Sequence, residues 1–276
     1  MKKLIVLVLA MVCLFSFTGC TRFLTDKQML DVPEEKNPVV TFVIEYEENN
    51  STRWVATIEC VLYYSKAPST VAHFVNLVND GYYDSKVFHG LYNVGENTSY
   101  YMVAGTYELS EDGTKFVKDT EIDYNIRGEF PANEWEKNDL EHKLGSLVMD
   151  RSIGEDKLFD TASTNFYFAL NDFGGRTNNY AVFGQIEKMK LECYINDAVT
   201  KYPESGELQN GIYPLFLNKM LTMDRANRTT DQQDSNDNDI ILLSPASDIK
   251  IVSAKVDTKE IDYSKAKILK VKVKNK

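Results

Sequence analysis

Few side chains in this 276-residue chain have the type and spacing for covalent chemistry. There are three histidines, His73, His89 and His142, and four cysteines, of which Cys60 and Cys193 lie in the body of the chain. None forms a CxxC pair or a Cys/His cluster with metal-ligand spacing, so no metal or other cofactor is implied. No GxSxG, HExxH or Cys/His pairing is present from which to build a hydrolase. His73 and His142 read as surface positions, and His89, inside a β-like run, reads as a structural strand histidine. One thiol is differently placed. Cys20 follows the small residues Thr18-Gly19 at the end of an apolar run.

The elements that must position these groups follow from periodicity. Lys2 and Lys3 precede an apolar stretch from Leu4 to Phe17 that is short for a permanent span. Residues 1–19 therefore read as a signal peptide, and Thr21 to Asn37 as a polar, flexible tether with a root-mean-square reach of roughly 20–25 Å. From Pro38, β-branched and aromatic residues mark strands at Val39–Ile44 and Trp54–Tyr63, joined by the turn Glu47–Ser51. Pro68-Ser69-Thr70 opens a helix with Val71, Phe74, Val75 and Val78 on one face, and Gly81 ends it. Short strands are expected at Tyr101–Ala104, Leu144–Met149, Phe166–Leu170, Tyr180–Gln185 and Asp248–Val256, and a second helix at Leu191–Val199. This order reads as a mainly β protein, a closed antiparallel barrel capped by two helices, spanning 38–256.

An insert of about 200–247 interrupts the barrel before its last strand. It could hold a helix from Pro214, with Leu217, Met220 and Leu221 on one face. The acidic run Asp231–Asp239 has calcium-loop spacing from Asp234, but lacks the required Gly and Glu and reads as a solvated loop. The tail 257–276 is lysine-rich. It alternates from Ile268 to Lys274 like an edge strand whose lysines face solvent; contact with lipid is the sharper reading. The net charge of −10 argues against nucleic acid as a partner. Cys60 and Cys193 could pair or stay as two buried thiols, and nothing in the pattern sets an oligomeric state.

Two resemblances sharpen this. Phe17-Thr18-Gly19-Cys20 resembles the lipobox of bacterial lipoproteins, which implies acylation of Cys20 and an extracytoplasmic, membrane-anchored protein. The body resembles the cyclophilin-type peptidyl-prolyl cis-trans isomerases. The segments that carry the likeness, in order, are Val61–Val71, Gly81-Tyr82-Tyr83-Asp84 with Phe88-His89, Tyr101–Gly105, Glu129-Phe130, Gly145–Arg151, Thr161–Phe168 and Tyr180–Gly184. The resemblance implies a cyclophilin barrel acting on X–Pro bonds of exported polypeptides, with proline-containing chains as partners. It also implies a groove built from Tyr101, Met102, Ala104, Asn165, Phe166 and Tyr167. Two departures stand out. Gly90 occupies the place of the family's arginine after Phe-His, and Ala104 that of its glutamine; the segment from Gly90 to Tyr101 is also longer. The site could be a silent binding groove, could take its cation from Arg127, Arg151 or Arg176, or could be a slow isomerase.

Overall fold

The computed structural model describes residues 22–94, 99–152, 158–196, 198–205, 219 and 223–272. Its body is an antiparallel sheet. β1 (Val39–Asn49) and β2 (Thr52–Leu62) form the expected hairpin, with alternate residues from Val40 to Tyr46 and from Trp54 to Leu62 buried. Helix α1 (Pro68–Asn79) follows and ends at Gly81, whose φ of 73° suits glycine. Next come β3 (Phe88–Val94), β4 (Ser99–Ala104), the short β5 (Tyr107–Leu109), β6 (Phe116–Lys118) and β7 (Tyr124–Ile126). β8 (Ser146–Met149), β9 (Phe166–Ala169), β10 (Val182–Ile195), β11 (Ala198–Ser205), β12 (Arg225–Gln233), β13 (Asp239–Pro245), β14 (Ile249–Asp257) and β15 (Lys270–Lys272) complete the chain.

The main sheet runs β14-β1-β2-β10-β8-β9-β4-β3, with β11 added beside β10. Its two ends meet just before β3. Ser85 N–H donates to the Ile251 carbonyl and Ile251 N–H to that of Lys86, both at 2.8 Å, closing the sheet on itself. Inside, Phe42, Phe74, Phe166, Phe168 and Phe183 pack ring against ring beneath α1. Buried Glu129 holds α1 in place. Its carboxylate accepts from the Ser69 and Thr70 backbone N–H groups at 3.0 and 2.8 Å, satisfying donors that a helix start leaves unpaired. Ser69 Oγ in turn accepts from Leu269 N–H at 2.8 Å.

Several expectations are corrected. The segment Leu191–Val199 is not a helix but the end of β10 and the start of β11, reversing at Asn196 with φ 46°. The reason is a period of two: Leu191 and Cys193 are buried while Glu192 and Tyr194 are half-exposed, continuing the alternation of β10. α1 is the α-helix whose full range lies among the described residues, and Lys219 is helical as well. The acidic run is an ordered hairpin tip between β12 and β13, in which Asp234 Oδ1 accepts from the N–H groups of Asn236 and Asn238 at 2.8 and 3.0 Å. β12 joins β6 through Thr230 and Phe116, so this half of the insert extends a small sheet, β13-β12-β6-β5. The helix expected from Pro214, with Leu217, Met220 and Leu221, lies outside the described residues, as does Cys20. The lysine-rich end pairs as β15 with β7.

Residues 22–37 lie on the body instead of forming a free leash. Leu24 is buried, Phe23 packs 5.1 Å from Trp135, and Leu30 N–H donates to Tyr64 Oη at 3.0 Å. Five apolar residues, Phe23, Leu24, Met29, Leu30 and Val32, give this otherwise polar stretch enough surface to dock. Cys60 and Cys193 are buried free thiols. Their thiol pKa values are raised by burial, so neither is a ready nucleophile.

Candidate functional site

β4 lies between β3 and β9, and alternation along it sends neighbouring side chains to opposite faces. Met102, Ala104 and, on β9, Phe166 point into the main core with almost no exposure. Tyr101, Val103 and Tyr167 point to the outer face, where Val148, Tyr180 and Val182 join them in a second cluster. The groove residues expected from sequence are thus split. Tyr101 and Tyr167 belong to the outer site, and Met102, Ala104 and Phe166 do not. Val103, not Ala104, is the neighbour of Tyr101 and Tyr167 on the outer face, and it pairs with Gly90 of β3.

Gly90 is closely covered. A Cβ at this position would lie 2.9 Å from Tyr92 Cζ and would overlap the ring edge. Tyr92 itself packs against the outer cluster and stands 5.5 Å from the Tyr101 ring. The volume into which a residue-90 side chain would project is therefore taken by an aromatic ring two residues along the same strand.

Of the three candidate cations, Arg176 is the one packed on the outer face of β4, delivered by a single turn of 3-10 helix at Gly174–Arg176. Its guanidinium carbon lies 4.1 Å from the Tyr101 ring centre, 4.5 Å from Tyr180 and 5.5 Å from Tyr167. Nη1 donates to Tyr167 Oη at 3.2 Å. Burial works against its charge, but the Tyr167, Tyr101 and Tyr180 oxygens outweigh it, and its pKa is raised. Arg176 is 5 % exposed and Tyr167 fully buried, so the chain's own side chains fill the outer site.

The other two arginines are elsewhere. Arg127 pairs with Asp160 at 3.4 Å, near the docked N-terminal segment. Arg151 flanks the site, 4.5 Å from the Tyr180 ring, with its Nε donating to the Asn179 carbonyl at 3.0 Å.

Three titratable groups complete the surroundings. Burial raises the Asp150 carboxyl to about 6, against the pull of the Arg151 N–H and the Arg176 and Arg151 charges. His142 is buried, not on the surface: its Nε2 meets Tyr167 Oη at 3.0 Å, and burial together with Arg176 holds it down at about 4. The simplest polar chain runs from Arg176 N–H to Tyr167 Oη, whose own hydrogen goes to neutral His142. His73 is likewise buried, with Nε2 2.8 Å from the Ser163 carbonyl and a pKa lowered to about 4 by burial. His89 behaves as a structural histidine, buried 4.7 Å from the Tyr107 ring, also at about 4 because of burial. Beside the outer face, Asn165 Oδ1 accepts from Thr106 Oγ1 at 2.6 Å. Both line a small polar cavity of about 140 Å³ with Asp150 and Thr164.

Asp150, Tyr180 and Val103 were not singled out from sequence. Counting β4 residues in twos from Tyr101 would have found Val103, and Tyr180 opens a strand already recognised. Asp150 carries no local signal. Among the described residues no cluster of His, Cys, Asp and Glu could hold a metal ion.

Comparison with known proteins identifies the family through a sequence profile. The sequence profile described as cyclophilin type peptidyl-prolyl cis-trans isomerase/CLD matches residues 48–208. Peptidyl-prolyl cis-trans isomerase A of Dickeya dadantii (strain 3937) is 28% identical over 165 residues, covering 58% of this chain and 75% of that protein. Two crystal structures of a Cryptosporidium parvum cyclophilin type peptidyl-prolyl cis-trans isomerase are more distant. One, in the presence of the dipeptide Ala-Pro, has 15% identity and a TM-score of 0.43 over 79% of this chain and 98% of that one. The other has 14% identity and a TM-score of 0.44 over 80% and 98%. The profile match spans more than half the chain, and the protein belongs to the cyclophilin-type peptidyl-prolyl cis-trans isomerase family.

Proposed function

We propose that this protein is an extracytoplasmic cyclophilin, anchored to a bacterial membrane through acylated Cys20, that slowly isomerises X–Pro bonds of exported polypeptides. The observation that carries the catalytic half is the position of Arg176. Rotation about the X–Pro bond is opposed by amide resonance, a barrier near 20 kcal/mol, and no bond is broken. A site accelerates it by stabilising the twisted imide, whose nitrogen regains a lone pair. A guanidinium presents five N–H donors and is permanently charged. Arg176 gives one of these to Tyr167 and sits on the face where Gly90 offers none. Tyr101, half-exposed, supplies the ring surface nearest the guanidinium. The anchoring half rests on the Thr18-Gly19-Cys20 junction after a short apolar run.

A second reading is favoured by one observation, the near-complete burial of Tyr167 and Arg176. A site filled by its own side chains suits a binding module without catalysis. One experiment separates the two. Isomerisation of a proline peptide is followed with the mature protein, Arg176→Lys and Arg176→Ala, alongside peptide affinity. Turnover that falls in both variants supports the isomerase. No turnover in the wild type, with tighter peptide binding once Arg176→Ala opens the floor, supports the binding module.

A further inference from the structure

The N-terminal segment and the lysine-rich C-terminal strand converge on one place. Arg22, the first described residue, donates from Nη2 to Asn133 Oδ1 at 2.5 Å and lies 3.5 Å from Asp160 Oδ2. Arg127 meets the same Asp160 oxygen at 3.4 Å. The two guanidiniums also share the Phe23 ring, at 5.7 and 5.9 Å from its centre. One residue on, the β7–β15 ribbon begins: Arg127 N–H donates to the Leu269 carbonyl at 3.0 Å, and Lys270 pairs with Ile126. The strand that ends the chain therefore starts beside the point where the chain enters the fold.

That strand is basic and open to solvent. Lys265, Lys267, Lys270 and Lys272 are all exposed, and no acidic residue follows Asp262 in the sequence. Asp262 engages Lys265 at 2.9 Å. Lys270 lies 3.8 Å over the Tyr124 ring, and among the described residues Lys267, Lys270 and Lys272 make no ion pair. On a chain of net charge −10, these lysines form a positive run with no acid among them, bordered by exposed Glu121 and Asp123 ahead of Tyr124, the partner of Lys272, and by the Arg22–Glu134 pair at 3.1 Å.

We infer that this face, β15 with Arg22 beside it, is a docking surface for an anionic lipid bilayer. Two arguments on the molecule select that occupant. Charge is complementary, since lysines near an anionic lipid surface are each attracted within a Debye length of it. Geometry is the other: two residues of chain span at most about 7 Å, so an acyl chain on Cys20 would hold Arg22, and with it this face, against the headgroups. The geometric argument rests on the lipid-anchor reading; the charge argument does not. Lipid and basic surface would then act as two membrane signals on one side of the domain.

The test uses the full chain as matured in a bacterial host, floated with phosphatidylcholine vesicles with and without phosphatidylglycerol. A fluorophore on Ser264→Cys, next to Lys265, reports transfer to a headgroup acceptor, and one on Asn236→Cys, at the β12–β13 tip, is the control. The expected result is stronger transfer from residue 264 in phosphatidylglycerol vesicles, lost at about 0.5 M salt and in Lys267→Gln/Lys270→Gln/Lys272→Gln, with residue 236 unchanged. For any unacylated fraction, the triple variant should partition at least about tenfold more weakly onto anionic vesicles. Flotation with phosphatidylcholine but no effect of lipid charge overturns the docking face and leaves the anchor. Flotation only with phosphatidylglycerol overturns the anchor and supports the face. Flotation with neither overturns both.

Discussion

The Arg176 guanidinium stands 4.1 Å from the centre of the Tyr101 ring, so a cation carried by a loop occupies the outer face of β4. Replacing it tests both catalysis and architecture. Arg176→Ala should lower stability by about 2 kcal/mol, because contacts with Tyr101, Tyr180 and Tyr167 are lost together. It should also abolish whatever isomerisation the wild type shows. The wild type itself should turn over proline peptides at least about a hundredfold more slowly than a family member that keeps the arginine after Phe-His, the cost of one misplaced electrostatic donor. Denaturant unfolding and a protease-free isomerisation assay read the two effects separately.

Gly90→Arg alone should not restore a fast enzyme. Its Cβ would meet the Tyr92 ring, and overpacking of this kind costs about 1–3 kcal/mol. Gly90→Arg with Tyr92→Ala should recover that stability and raise turnover above the wild type. A single variant as stable as the wild type would show that Tyr92 swings away freely.

Ala104→Gln is expected to fail for another reason: residue 104 faces the main core with no exposure, where an amide lacks partners. Val103→Gln places the same side chain on the outer face. Comparing the two by thermal unfolding and turnover checks the register of β4, with the larger loss of stability expected in Ala104→Gln.

Acid sensitivity follows from opposed groups. His73, His89 and His142 each have folded pKa values lowered by burial to about 4, so the unfolded chain binds more protons between about 6.5 and 4. Their contribution is present above the unfolded value and is lost as pH falls through that window. Glu129, raised by burial to about 7, and Asp150, raised to about 6, act the other way: they favour the fold below their unfolded values and lose that contribution as pH rises. Three groups against two predict net destabilisation on acidification from about 6.5 to 4. Urea midpoints across this range measure it, and His73→Gln should flatten the slope, whereas an unchanged slope would remove His73 from the account.

Cys20→Ala in the native host should release the protein from the membrane fraction or leave it unprocessed. Continued firm membrane association of a processed variant would show that the lipid is not at this residue.

Much of the barrel was legible because burial on one face writes itself into strands as alternation, as in Val39–Ile44 and Trp54–Leu62. The expected second helix is a strand: apolar residues at 191, 195 and 199 also satisfy a helical spacing, while Cys193 keeps the period of two. The groove was half legible. Tyr101 and Tyr167 share the outer face and Met102, Ala104 and Phe166 the core face, a division set by alternation along β4 and β9 that a list of groove residues taken from a resemblance does not carry. That Arg176, of three arginines, reaches the outer face of β4 was not legible, since a loop residue's reach depends on a tertiary turn that no local pattern encodes. His73 and His142 looked exposed because their cover, Tyr124 for one and Tyr167 for the other, comes from residues far along the chain.

The closure of the sheet also orders events in time. β1 finds β2 at once, three residues downstream, but its other edge pairs with β14, which is roughly 200 residues later. At a synthesis rate of about 5–20 residues per second, that delay is roughly 10–40 s. Throughout it the nascent polypeptide displays an unsatisfied row of amides from Val39 to Tyr46, the kind of ledge onto which a stray strand adds. A truncation before Ile249 would make that transient state permanent, and such fragments should aggregate as they emerge instead of accumulating as a smaller folded form.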